Sequence, residues 1–302
     1  MGRVLVAGSI NMDVVAKAGR HPRIGETVAG NEVLFLPGGK GANQAIAASK
    51  LGAPTSLIGC IGQDAFGRDL RAFLAATNLD LKFLRDTADA PTGTAIITVA
   101  DGDNTIVVIP GANASVDADD IAALTFASGD IAVSQFEIPL PTVRALLERA
   151  RTAGATTVLN PAPALPCDRA LLALADILIL NETELGFFAN RGIGPASDSA
   201  AILDATRALQ TNSRQTICVT LGPRGFVALI GGEPHSEPGR TAAVADTTGA
   251  GDCFVGAVAA RLAQGHPIRD ALHHANVAGS LCVQRMGAAP AMPSATEVAA
   301  AL

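Results

Sequence analysis

The chain has 302 residues, a net charge of −6 and a hydrophobic fraction of 49%. That length allows one large domain or two small ones, and the lack of any basic run disfavours a nucleic-acid partner. Mean hydropathy is +0.34, yet no apolar run reaches the roughly 18 residues that cross a bilayer, so no membrane partner is expected. Five scattered cysteines without metal or disulfide spacing, and no secretory signal, indicate a reduced, cytoplasmic protein.

The first predicted strand covers residues 3–7, and polar side chains follow it at Asn11 and Asp13. The carboxyl ends of strands in an open α/β sheet bind ligands, and amide and carboxylate groups suit sugar hydroxyls. A plain Asx turn explains the same residues equally well. Residues 12–36 continue as extended segments with turns and without a helical period.

A glycine-rich run, Pro37–Asn43, opens an alanine-rich helix that ends near Leu51. Glycines before a helix bring the backbone close to a ligand, although about half of such runs are only tight turns. This run is not a Walker A loop, because Gly-Lys is not followed by Ser or Thr at the required spacing. The dinucleotide fingerprint is also absent from the chain, which disfavours a nicotinamide enzyme.

Short Val/Ile/Leu runs alternate with longer alanine-rich segments from about residue 55 to residue 220. This alternation predicts an α/β fold with a mostly parallel sheet. One stretch breaks the pattern: Thr94–Val99 and Thr105–Ile109 flank a turn and predict a hairpin. With residues 12–36, this hairpin could form a small second sheet beside the main one.

Two further polar segments follow predicted strands. Asn181–Glu184 could begin a helix with acids in its first turn, or could organise water around Mg²⁺ and phosphate oxygens. Thr220–Gly225 is a turn after a strand. It could contact a ligand, or it could simply connect the two strands of a hairpin.

The most informative segment is Asp246–Asp252, which contains two glycines and precedes a predicted helix, Cys253–Gln264. Thr241–Ala245 before it resembles a strand, and a second helix is predicted over about 268–283. Free N–H groups at a helix start bind anions such as phosphate. Asp252 could be a first-turn acid, or a general base that accepts the proton of an attacking hydroxyl.

These segments, in this order, resemble the signatures of the ribokinase-like family of carbohydrate kinases. The N-terminal signature is similar to Gly38–Asn43 with Gln44-Ala45 after it, the Asn-x-x-Glu motif to Asn181–Glu184, and the C-terminal signature to Asp246–Asp252. The similarity covers essentially the whole chain. It extends to Gly8–Asp13, Gly25–Thr27 and Asn160–Ala164.

The resemblance implies one kinase domain over 1–302, with a doubly wound, mostly parallel sheet flanked by helices. A small β-sheet lid is implied from about 12–37 and 91–110. The implied activity is ATP-dependent phosphorylation of a hydroxymethyl group of a small sugar, D-ribose above others. The resemblance also implies Mg²⁺ with ATP, K⁺ as an activator, and a homodimer formed through the lids.

The same resemblance implies roles for individual residues. Asp252 would be the catalytic base and contact the sugar, with Gly249, Ala250 and Gly251 as an anion hole. Sugar binding is expected at Asn11, Asp13, Gly39, Lys40, Gly41, Ala42, Asn43 and Glu137. ATP binding is expected at Asn181, Thr220, Leu221, Gly222, Pro223, Arg224, Gly225, Gly251 and Asn276. Glu184 would help to place Mg²⁺ indirectly, and K⁺ would bind at Asp246, Thr248, Cys282, Arg285, Gly287 and Ala291.

Several alternatives stay open at this level. Fructose and deoxyribose differ from ribose by few hydroxyl contacts. A nucleoside acceptor is disfavoured because the chain has no Trp or Tyr, and Phe35 and Phe136 are the only nearby phenylalanines. Arg20 and Arg23 in the lid keep a sugar phosphate open as the acceptor. A non-catalytic sugar or nucleotide sensor on the same fold is a further alternative.

Overall fold

The computed structural model describes all residues, 1–302, and contains thirteen strands and ten helices. The strands are β1 (Val4–Ala7), β2 (Asn11–Ala18), β3 (Gly30–Gly38), β4 (Thr55–Gly62), β5 (Leu84–Thr87), β6 (Gly93–Ala100), β7 (Asp103–Ile109), β8 (Ile131–Gln135), β9 (Thr156–Asn160), β10 (Ile177–Asn181), β11 (Thr216–Thr220), β12 (Phe226–Ile230) and β13 (Glu233–Glu237). The helices are α1 (Lys40–Lys50), α2 (Ala65–Ala75), α3 (Ala118–Ala122), α4 (Leu140–Thr152), α5 (Arg169–Ala173), α6 (Glu182–Ala189), α7 (Ser199–Leu209), α8 (Ala250–Ala263), α9 (Ile268–Cys282) and α10 (Ala295–Ala301).

The larger sheet has nine strands in the order β13-β12-β11-β10-β9-β8-β1-β4-β5. Strands β12 and β13 are antiparallel to their neighbours, and the remaining pairs are parallel. Along β1, Val4 and Val6 belong to one hydrophobic core, whereas Leu5 and Ala7 belong to another. Helices therefore cover both faces of the sheet, which confirms the predicted α/β class and explains the continuous apolar runs of its strands.

A second sheet has four strands in the order β3-β2-β6-β7. Strand β2 is antiparallel to β3 and parallel to β6, and β6 and β7 form the predicted hairpin. The small lid sheet that the sequence predicts is therefore present. Only residues 8–10 separate β1 of the large sheet from β2 of the small one, and Asn11 pairs with Gly38 at the end of β3.

The predicted strand at Thr241–Ala245 is wrong, because these residues join no sheet. The antiparallel hairpin of β12 and β13 already occupies this edge of the large sheet. The N–H of Ala245 instead donates to the carbonyl of Val283, at 2.8 Å, just beyond α9. An apolar extended segment is consistent with a strand only where a neighbouring edge is free to pair with it. No helix of the chain combines the length and the apolar character that a membrane crossing requires.

Candidate active site

Asp252 lies at the bottom of the candidate site, in the first turn of α8, and is 7% exposed. Both of its carboxylate oxygens accept hydrogen bonds from the first turns of α1. Nδ2 of Asn43 donates to Oδ2 at 3.0 Å, and Nε2 of Gln44 donates to Oδ1 at 2.9 Å. An ionised carboxylate held in this way keeps further lone pairs that can accept a proton from a substrate.

The start of α8 is suited to an anion. Gly249 caps the helix in the left-handed region with φ of 76°, and a Cβ added there would lie 2.8 Å from Cβ of Ala288. A Cβ added at Gly251 would meet no atom within 4 Å, so this position faces open space. The N–H groups of Gly249, Gly251 and Asp252 have no acceptor in the chain, whereas that of Ala250 donates to Thr247 at 3.2 Å. Unpaired N–H groups at a helix start attract phosphate.

A cleft of about 120 Å³ opens over this helix start. It brings together polar groups from several separate elements, namely Lys40, Asn160, Asn181, Glu184, Thr220, Gly249, Gly251 and Asp252. Strands β9, β10 and β11 end at Asn160, Asn181 and Thr220, at the same edge of the large sheet, because parallel strands present their carboxyl ends together. Sequence reasoning selected every one of these residues for the site except Asn160.

Two more carboxylates lie near Asp252. Burial, together with the neighbouring carboxylates of Glu137 and Asp252, raises the pKa of Asp13 to about 7. Oε2 of Glu137 accepts from Oγ of Ser9 at 2.5 Å and from the N–H of Lys40 at 3.2 Å. Burial acts to lower the pKa of Lys40, but the carboxylates of Asp252 and Glu137 outweigh it and raise this pKa above its ordinary value. The site thus holds one cation among several acids.

Tight packing places the start of α1 directly on the turn after β1. Gly39 has φ of 91°, and a Cβ added there would lie 2.8 Å from the backbone nitrogen of Asn11. A Cβ added at Gly41 would lie 2.5 Å from the carbonyl carbon of Gly8. The N–H of Ala42 donates to Ser9 at 2.9 Å. The glycine-rich run is therefore needed for close approach, in addition to any contact with a ligand.

Asn11 is almost fully buried and is oriented by Asn113, whose Nδ2 donates to its Oδ1 at 2.7 Å. Nδ2 of Asn11 makes no hydrogen bond within the chain. Sequence reasoning missed Asn113 because it lies 102 positions away and has no local motif around it. Arg20, considered for a sugar phosphate, pairs with Glu26 in the loop between β2 and β3.

The Asn-x-x-Glu motif forms a capping box at the start of α6. Oδ1 of Asn181 accepts from the N–H of Glu184, and Oε2 of Glu184 accepts from the N–H of Asn181, each at 2.9 Å. The helix-start interpretation is therefore correct, and Oε1 of Glu184 is left free beside the cleft. Burial raises the pKa of Glu184 above its ordinary value, against the opposing effects of the Asn181 N–H and Lys40.

The other residues selected for ATP lie around the turn after β11. Thr220 lines the cleft, Leu221 is buried, and Gly222–Arg224 form a short 3₁₀ turn. The guanidinium of Arg224 pairs with Glu182 and donates to the carbonyl of Ser197 at 2.8 Å. The remaining members of the set are Pro223 within the turn, Gly225 with φ of 88°, and Asn276, whose Nδ2 donates to the carbonyl of Pro238 at 2.9 Å.

The segments selected for K⁺ are held against each other by Asp246. Its Oδ1 accepts from the N–H of Thr248 and its Oδ2 from the N–H of Gly287, both at 2.9 Å. The carbonyl of Cys282 accepts from the N–H of Arg285 at 3.2 Å. Among the residues selected for K⁺, the other five have carbonyls that accept no hydrogen bond within the chain. They are Asp246, Thr248, Arg285, Gly287 and Ala291. No group of three or more His, Cys, Asp or Glu is placed to hold a metal ion.

Comparison with known proteins agrees with this geometry. The chain matches the pfkB family carbohydrate kinases over residues 1–295. It is 37% identical to the ribokinase of Staphylococcus aureus and covers 98% of both chains. It is 33% identical to the ribokinase of Schizosaccharomyces pombe, over 99% of this chain and 97% of that protein.

Its structure is also similar to that of Arabidopsis thaliana ribokinase complexed with ribose and ATP, with a TM-score of 0.87 and 32% identity. The superposition covers 99% of this chain and 98% of the other. Sequence, fold and the arrangement of the cleft therefore agree on an ATP-using phosphotransferase. The chain belongs to the pfkB family of carbohydrate kinases.

Proposed function

We propose that this kinase phosphorylates the hydroxymethyl group of a small sugar, and that its principal reaction converts D-ribose to D-ribose 5-phosphate. The observation that carries the proposal is the Asp252 carboxylate, held by two amides directly beside the unpaired N–H groups of α8. A base and an anion site in contact are what phosphoryl transfer to an alcohol needs. Support for ribose comes from relatives named ribokinase at 33% and 37% identity.

In the proposed reaction, Asp252 accepts the proton of the sugar hydroxyl as its oxygen attacks the terminal phosphorus of ATP. The anion hole of Gly249, Ala250 and Gly251 stabilises negative charge on the phosphoryl group as the bond to ADP breaks. Of these three N–H groups, those of Gly249 and Gly251 are free to do so without breaking another hydrogen bond. Lys40, which lines the same cleft, adds positive charge.

The sugar would occupy the space between Asp252 and the small sheet. Oδ1 of Asn43 is buried and has no hydrogen-bond partner, so a sugar hydroxyl that donates to it would remove a desolvation cost. Nδ2 of Asn11 offers a donor, and Asp13 and Glu137 offer acceptors. Gly39–Asn43 are proposed to contact the sugar from the start of α1, where Lys40 lines the cleft.

Two cations are proposed to assist. Mg²⁺ enters with ATP, and the free Oε1 of Glu184 is placed to hold water of its coordination shell. K⁺ fits the loop pair held by Asp246, because Asp246, Thr248, Arg285, Gly287 and Ala291 offer unpaired carbonyl oxygens. The carbonyl of Cys282 would have to exchange its hydrogen bond with Arg285. A bound monovalent cation supplies positive charge near the start of α8.

We also propose a homodimer through the lid sheets. Phe35, Ile96 and Val107 lie in one cross-strand row of the small sheet and are 54%, 42% and 62% exposed. Every residue of β7, the open edge of this sheet, is exposed. An exposed apolar sheet with a free edge favours pairing with a second copy.

A coupled ADP-release assay tests the proposed activity over pentoses, hexoses, nucleosides and sugar phosphates, with and without K⁺. We expect the highest kcat/KM for ribose, with a rise in rate when K⁺ replaces a larger or smaller monovalent cation. Higher kcat/KM for fructose or deoxyribose would reassign the acceptor within the family. Sugar binding without ADP release for any acceptor would instead favour a non-catalytic sensor.

A further inference from the structure

Behind Asp252 lies a chain of buried amide side chains that no role described above requires. Gln44 is fully buried and does not line the cleft. Its Nε2 donates both to Oδ1 of Asp252 at 2.9 Å and to Oδ1 of Asn160 at 3.1 Å. Its Oε1 accepts from Nε2 of Gln135 at 2.6 Å. The amide of Gln44 therefore uses both of its N–H groups and one lone pair within the protein.

The orientation of this amide is determined from both sides. An ionised carboxylate only accepts hydrogen bonds, so the NH₂ group of Gln44 must face Asp252. Gln135, at the end of β8, donates to the opposite side of the same amide. Asn160, at the end of β9, is fixed in turn because its Nδ2 donates to the carbonyl of Ile179 at 2.8 Å. The network thus connects Asp252 to three adjacent strands of the rigid sheet.

Gly8 makes room for this network. A Cβ added at Gly8 would lie only 2.1 Å from Oε1 of Gln135 and 2.7 Å from Cα of Gly41. Any larger residue at the end of β1 would displace Gln135 or the start of α1. Oε1 of Gln135 is itself buried without a partner, a cost that is consistent with selection for position over stability.

We propose that Gln44 is a positioning residue that fixes the plane of the Asp252 carboxylate for phosphoryl transfer, with Gln135 and Asn160 as its supports. This proposal rests on the proposed role of Asp252 as the base. Asn43 holds only Oδ2, and a single hydrogen bond leaves the carboxylate free to rotate about its Cβ–Cγ bond. The second bond from Gln44 stops this rotation.

Gln44→Leu and Gln44→Asn, assayed in the complete enzyme, test the proposal. Because Gln44 does not contact the cleft, we expect kcat to fall about 10- to 100-fold while the sugar KM stays within about twofold. A purely structural role would lower thermal stability without this split between kcat and KM.

Gln215→Leu is the matched control. Gln215 is also a buried glutamine with several internal hydrogen bonds, at 2.8 Å and 2.9 Å to the carbonyls of Leu172 and Ala175. It lies just before β11, at the opposite end of the strands from the cleft. This variant should lose thermal stability to a similar extent while kcat and the sugar KM stay unchanged. Gln44→Asn keeps a polar group in place and serves if Gln44→Leu does not fold.

The outcomes separate this inference from the proposed function. Wild-type kcat in both Gln44 variants, with turnover abolished in Asp252→Asn, would overturn the positioning role and leave the base intact. A parallel rise in sugar KM without a fall in kcat would also overturn it, because Gln44 would then act in binding. Full turnover of Asp252→Asn would overturn the base assignment and this inference together. The identity of the best sugar affects neither the test of Gln44 nor the test of Asp252, because each variant is compared with the wild type on the acceptor that the wild type uses.

Discussion

At the scale of single residues, the site combines groups that stabilise the ligand complex at a cost to the empty protein. Asp13, Glu137 and Asp252 place three carboxylates close together, and Lys40 is the one cation among them. Oδ1 of Asn43 is buried and unpaired. Such groups are expected at sites that recognise hydroxyls and phosphate, because a bound ligand supplies the hydrogen-bond partners that these side chains lack in the empty protein.

Asp252→Asn should abolish turnover, by at least about a thousandfold in kcat, because an amide cannot accept the hydroxyl proton. Sugar binding should change little, since the amide keeps the size of the carboxylate and still accepts one hydrogen bond. The test measures ADP release together with sugar binding by calorimetry. Asp69→Asn, on the exposed face of α2, is the control that should leave both quantities unchanged. Turnover near the wild-type rate would contradict the assignment of the base.

Asp13→Asn should stabilise the protein at alkaline pH. The folded-state pKa is about 7 against an ordinary value of 3.8, so the folded chain holds this proton more tightly than the unfolded chain. The resulting stability is present at low pH and is lost as pH rises from about 4 to about 7. At pH 8 the variant should gain on the order of 1–2 kcal/mol in the free energy of unfolding, after allowance for solvent screening.

Urea melts at pH 4 and pH 8 measure this effect. The gain should be small at pH 4, where the wild-type carboxyl is also neutral, and sugar affinity should fall because an acceptor for a hydroxyl is lost. An equal change in the free energy of unfolding at both pH values would mean that burial does not raise the pKa of Asp13. Asp69→Asn again provides the exposed control.

At the scale of the secondary-structure elements, the start of α8 depends on one backbone conformation. Gly249→Ala should lower kcat at least about tenfold, because a residue with a Cβ is strained at φ of 76° and would press on Ala288. The free N–H groups would then shift away from the phosphoryl position. Kinetics and thermal melts are measured for both this variant and Gly265→Ala.

Gly265 offers a matched control at the other end of the same helix. It has φ of 86°, and a Cβ added there would meet no atom within 4 Å. Gly265→Ala should therefore cost about 1 kcal/mol of stability from backbone strain alone and leave kcat unchanged. If both variants lost activity equally, strain in α8 as a whole would explain the effect, and the role of its first turn would be refuted.

The elements themselves were largely predictable from the sequence, but the contacts between them were not. Parallel strands buried on both faces leave continuous apolar runs, and the hairpin of β6 and β7 has an obvious turn. Thr241–Ala245 was assigned wrongly because local residue types do not reveal whether a sheet edge is free. Gln44 meets Asn160 across 116 positions and Asp252 across 208, and no local spacing encodes such pairs.

At the scale of the whole molecule, the proposed dimer places the small sheet of one copy against that of a second. Val107→Lys should shift the proposed dimer towards monomer, because a charge on the open edge strand β7 would be buried between the two copies. Analytical ultracentrifugation over a range of protein concentrations measures the shift. Leu165→Lys, at a residue that is 39% exposed outside the small sheet, should leave the association unchanged. A monomeric wild type at all concentrations would contradict the proposed dimer.

The narrow connection between the two sheets has a mechanical consequence. The chain passes between the two sheets four times: at residues 8–10, at Gly38–Gly39 before α1, between β5 and β6, and after β7. Any rotation of the small sheet must therefore bend the backbone at these four crossings, and the crossing at Gly38–Gly39 is followed directly by Asn43 and Gln44. Movement of the small sheet would be transmitted through about one turn of helix to the carboxylate of Asp252.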